Sequence, residues 1–193
     1  MRTVLKRIIV ALAAIALLGT GSIFASPPAP SPGAPKTDDV AHLSGRASVL
    51  LAEIKKEAAE LKLPADTLGT FAGSSQYSWQ SHVHYLNRVK DHINAVGKRT
   101  AELQQMRDAV LPWQRQAITE VTSHAARVAA STQAAIICLN DNKSRYFAPE
   151  YRDHLTIIAD SSMDLKDTVD KFLDYGKTQQ RFERLQNELE LGG

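Results

Sequence analysis

Cysteine is almost absent. The 193-residue chain has one, Cys138, so it can form no internal disulfide and has no Cys-based zinc or haem-attachment motif. Stability must come from packing. Cys138 lies in Ala134-Ala135-Ile136-Ile137-Cys138-Leu139 and reads as a small buried hydrophobe. No Gly-x-Ser-x-Gly elbow is present, and no glycine pair is spaced to cradle a phosphate at a helix N-terminus. The diiron Glu-x-x-His signature is missing too. These absences remove the common routes to nucleophilic, phosphoryl-transfer and cofactor chemistry, so neither a catalytic residue nor a cofactor is assigned and the chain reads as non-enzymatic.

An excess of one charge is lacking as well. The formal charge is +2, but Arg2, Lys6 and Arg7 precede residue 26 and no acid does, so +2 for the whole chain becomes −1 from residue 26 on. A near-neutral surface offers no electrostatic footprint for nucleic acid or anionic lipid.

Those three positives belong to a targeting pattern. Met1 to Arg7 is a charged opening, Ile8 to Leu18 is apolar, and Ala25 is a small residue suited to signal peptidase. Residues 1–25 are read as a signal peptide cut after Ala25, with export to the periplasm or the extracellular space. The rival is an uncleaved anchor, since Ile8 to Ala25 is uncharged over nearly a bilayer-spanning length. Gly19, Thr20, Gly21 and Ser22 dilute its second half, which favours the signal.

Proline divides the rest of the chain. Five of the eight prolines fall between Pro27 and Pro35, and residues 26–38 are read as an extended, disordered spacer that cannot build a core. Pro64, Pro112 and Pro149 each interrupt an apolar pattern of helical period and are read as junctions. Residues 39–193 then form an all-α domain, an up-down four-helix bundle with a long, coiled-coil-like C-terminal helix.

The first helix is expected from about Asp39, capped by Asp38 or Asp39, to Lys62. Val40, Leu43, Ala47, Leu50, Leu51, Ile54, Ala58 and Leu61 mark its buried face. An irregular stretch from Leu63 to Gly73 is expected to fold over the bundle end, with Leu68 and Phe71 as plugs. Ser74 or Ser75 is the expected cap of the second helix, whose stripe is Trp79, Val83, Leu86, Val89, Ile93, Val96, Thr100, Leu103 and Val110. Tyr77 to Tyr85 also alternates like a short strand, but with no partner strand in sight helix is preferred. Its aromatics are read as packing at the bundle end rather than as the lip of a ligand site.

Pro112 suits the first turn of the third helix, whose face runs from Trp113 through Ala117, Ile118, Val121, Ala125, Val128, Thr132, Ala135 and Ile136 to Leu139. Asn140-Asp141-Asn142 ends it. Asn142-Lys143-Ser144 is formally a glycosylation acceptor and carries little weight. The fourth helix opens at Pro149, with a stripe of Tyr151, Leu155, Ile158, Ser162, Leu165, Val169, Phe172, Gly176, Phe182, Leu185 and Leu189. Its last turns surround Phe182, Leu185 and Leu189 with polar residues, a coiled-coil-like tail that needs a partner surface, whether another protein or a second copy.

Histidine is the remaining lead. His42, His82, His84, His92, His124 and His154 are spread over all four helices, and imidazoles facing one another in a bundle core make metal sites. In an up-down bundle His92 and His124 share a level with His42 near it, and Asp164 or Asp167 could complete a zinc set. The plainer reading puts His82, His92, His124 and His154 beside their stripes with one edge wet, and no metal ligand is assigned. The chain is therefore expected to act through protein contacts, with a metal- or small-molecule-binding bundle as the alternative.

Overall fold

A computed structural model describes residues 37–74, 76–141 and 148–191. Residues 1–25, read as a signal peptide, nearly all of the stretch read as a spacer, Ser75 and the Asn142-Lys143-Ser144 triplet lie outside the described residues, as do the side chains of Thr37, Asp38 and Leu191. Four helices follow one another: α1 Thr37–Ala72, α2 Trp79–Gln105, α3 Pro112–Asp141 and α4 Pro149–Leu191, with a short 3-10 turn Arg107–Ala109 between α2 and α3. The described residues include no strand. Each helix packs on its neighbours in chain order and α4 closes the ring on α1, while the diagonal pair α1 and α3 barely meets. This is the up-down four-helix bundle that the apolar periodicity predicts.

The core runs along the axis from Ala47 and Leu50 of α1, through Val89 and Ile93 of α2 and Val121 and Val128 of α3, to Ile158 and Leu165 of α4. Alanine and glycine set the local spacing. A Cβ on Gly69 would stand 2.9 Å from the Ala159 Cβ, so α1 and α4 approach there more closely than a side chain at position 69 would allow.

Pro64 corrects the first boundary. It does not end α1 but lies inside it, although a proline leaves the carbonyl four residues back without its N–H. The pattern explains why the helix continues: Leu61, Ala65, Leu68 and Phe71 are all buried at three- and four-residue steps, in phase with Ile54 and Ala58. Packing of that face, and of buried Pro64 itself, outweighs a backbone penalty of about 3 kcal/mol. Leu68 and Phe71 do plug the end of the bundle, as the last two turns of a helix rather than as an irregular stretch.

The second boundary also moves. Ser78, not Ser74, caps α2, its Oγ accepting from the Ser81 N–H at 3.3 Å. The Ser74 Oγ instead accepts from the Gln76 N–H within the connection. Trp79 to Tyr85 is helical, so the strand alternative for that stretch does not hold. Tyr77 stacks on Phe71 with centroids 4.0 Å apart, and Tyr85 meets the same ring edge-on, the packing role expected of these aromatics.

At the opposite end, Gln114 joins α3 to α1. Fully buried, it donates from Nε2 to the Ser44 carbonyl at 2.8 Å and to the Ser48 Oγ at 3.0 Å, and its Oε1 accepts from the Leu111 N–H. One amide thus satisfies three polar groups where the chain enters α3, an arrangement hydrophobic periodicity cannot reveal.

Candidate functional site

The six histidines do not converge. His92 donates from Nδ1 to the Glu57 Oε2 at 3.1 Å in the α1–α2 groove, where Arg99 also bonds Glu53. His124 faces Asp164 across the α3–α4 groove, its Nδ1 3.9 Å from the carboxylate, beyond hydrogen-bond reach. His42, near the start of α1, and His84 are exposed, and His154 is half-buried on α4. Counting residues from the helix ends does place Asp164 beside His124, but the His92 and His124 grooves are on opposite sides of the ring. Among the described residues no group of three or more His, Cys, Asp or Glu side chains could hold a metal ion.

His82 departs most from its expected place. It is not at the wet edge of a stripe but 1% exposed, four residues before Leu86 and so in phase with Leu86, Val89 and Ile93. That spacing is the signal the sequence carries, and a stripe drawn through Trp79 and Val83, both only half-buried, passes it by. His82 Nδ1 and the Tyr151 hydroxyl share a hydrogen bond of 2.9 Å, from the first turn of α2 to the first turn of α4. Burial lowers the His82 pKa from 6.5 to about 4, so the imidazole is neutral at pH 7. Burial, with Cys138 adding to it, pushes the Tyr151 phenol above its ordinary range. Cys138 itself is half-buried, less enclosed than a core position. A neutral imidazole bonded to a phenol, both sealed from water, ties helix ends together and presents neither group to a substrate.

The other end of the bundle is more open. Trp113, in the first turn of α3, lies against Gly176 of α4, where an added Cβ would come within 2.7 Å of the indole, and meets Tyr175 edge-on. A cleft of about 460 Å³ on one side of the indole is lined by Pro112, Trp113, Gln116, Lys171, Phe172 and Tyr175. A second, of about 400 Å³, lies among Val40, Ser44, Leu111, Gln114, Gln180 and Glu183. Past Glu183, every residue of α4 through Glu190 is exposed.

Here the expected α4 stripe proves to be two stripes. From Tyr151 to Gly176 the buried positions follow one another at three- and four-residue steps, with Ser161 buried beside Ser162. Phe182 comes six residues after Gly176, and at 100° per residue that step carries it round to the side away from the bundle. Phe182 is 66% exposed, Leu185 49% and Leu189 79%. With Tyr175 and Thr178, they occupy positions 0, 3, 7, 10 and 14 of a strict heptad pattern. The bundle leaves this outward face uncovered.

No protein-family model, no curated protein and no solved structure matches the chain.

Proposed function

We propose that this protein is a non-enzymatic helical bundle that works outside the cytoplasm through protein contacts, made by the outward face of the α4 tail. One observation carries the reading: Phe182, Leu185 and Leu189 are exposed on one face of a helix that continues past the bundle. Large apolar side chains set in a row mark contact surfaces, whereas scattered ones need no explanation. Export rests on the charged opening, apolar run and small residue at Ala25 in residues 1–25. The metal-binding alternative has no comparable support, because His42, His92 and His124 occupy separate surfaces.

A photo-crosslinking amino acid placed at Leu185 or Asn187 in the full chain, in its host, tests this. Asn187 is also exposed but on the opposite side of the tail. A discrete protein adduct from Leu185 and none from Asn187 is the expected result. Absence of any adduct from Phe182, Leu185 and Leu189 together refutes the reading. Recovery of the full chain with Met1 retained and embedded in membrane would replace release by anchoring.

A further inference from the structure

We propose that the partner on the α4 tail is a second copy of the same chain, paired antiparallel in a single register; this rests on the contact-surface reading above. The heptad positions fix the flanks. With Phe182 and Leu189 at position a and Leu185 and Thr178 at position d, Arg181 and Glu188 fall at g, and Gln179 and Gln186 at e. In an antiparallel pair, a residues pack on d residues of the other helix, and g residues flank g residues. Phe182 then packs on the partner's Leu185, and Leu189 on the partner's Thr178. That same register sets Arg181 beside the partner's Glu188 and Gln179 beside the partner's Gln186. The two-fold axis makes every contact twice.

Charge selects this arrangement over its neighbours. Sliding one heptad toward the C-terminus sets Glu188 against the partner's Glu188. Sliding one heptad the other way sets Arg181 against the partner's Arg181. In an in-register parallel pair g flanks e, so Arg181 meets the partner's Gln186 and no opposite charges meet. Arg181 and Glu188 both lie on the exposed length of α4 and make no ion pair among the described residues. The geometry leaves room as well. The partner's tail lies along the outward side of residues 176–191, and each bundle lies on the inward side of its own α4, so the two bundles stand on opposite sides of the paired segment, toward its opposite ends.

The test measures the mass of the full chain by light scattering and sedimentation over a concentration series. Wild type is expected to be in monomer–dimer exchange. Arg181→Glu sets Glu against Glu, and Glu188→Arg sets Arg against Arg, so each alone should weaken the dimer on the order of tenfold. The double variant R181E/E188R should regain it. Mixing the two single variants should also regain it as a heterodimer, since an acid then meets a base in both of the flanking contacts. Association through residues 1–36 is indifferent to these charges and produces none of these changes. A chain monomeric up to about 1 mM, with a Leu185 adduct to another protein, overturns the dimer and leaves the contact-surface reading standing. A dimer lost in Leu185→Glu but unmoved by the charge changes overturns the antiparallel register alone.

Discussion

His82 is a side chain whose ionisation between pH 4 and 7 is altered by burial, and its effect has a definite sign. Its folded pKa of about 4 lies below the ordinary 6.5, so the unfolded chain binds the proton more readily. The contribution to stability is complete above pH 6.5 and is lost as pH falls toward 4, by about 3 kcal/mol. Thermal or urea melts at pH 7 and pH 4 should show that loss for wild type. His82→Gln should show a loss smaller by about that amount, while an equal pH dependence in both would remove His82 as its source. Two glycines differ at the same scale. Gly69 faces the Ala159 Cβ, which has no rotamer with which to yield, whereas Gly97 has nothing within 4 Å. Gly97→Ala should stabilise by about 0.5–1 kcal/mol through helix propensity alone. Gly69→Ala gains the same propensity but must push α1 and α4 apart, for a net loss of about 1 kcal/mol in urea unfolding.

Among the elements, α1 contains a contradiction between backbone and packing at Pro64. Pro64→Ala restores a backbone N–H and removes a steric clash, worth about 3 kcal/mol, and loses roughly two buried methylenes, worth about 1.6 kcal/mol. The variant should unfold at higher urea by about 1 kcal/mol, and a loss of stability would mean that the ring contributes more through packing than its two methylenes. The same competition limits how far the fold is legible in the sequence. Apolar steps of three and four locate α3 and the start of α4, where Pro112 and Pro149 sit in first turns and agree with the pattern. At Pro64 breaker and pattern disagree, and the pattern, in phase through Phe71, is the better guide. His82 and Gln114 are harder to foresee because a buried polar residue betrays itself only through partners far away in the chain, here Tyr151, Ser44 and Ser48. The apolar face of the α4 tail is legible in composition, and its direction only in the six-residue step from Gly176 to Phe182, which a single stripe drawn through both overlooks.

At the scale of the molecule, one continuous core is shared by all four helices, so a charge placed in any layer should be felt by the whole. Ile93→Asp and Val121→Asp, at positions 2% and 0% exposed, should each cost several kcal/mol, with helicity and tertiary signals lost together in one transition. If circular dichroism shows strand content, or if both variants melt like wild type, the all-helical core is misplaced.

The length of α4 beyond Glu183 has a further consequence, for the time scale on which backbone amides exchange with solvent. Inside the bundle an amide is released only when packed helices come apart, at a cost near that of global unfolding. The last turns have no such guard, and a short helix held only by its own hydrogen bonds is marginal in water. Deuterium uptake along α4 should therefore step from slow through Phe172 to fast past Arg184. If the proposed partner covers this tail, it should be visible first as a slowing of those amides.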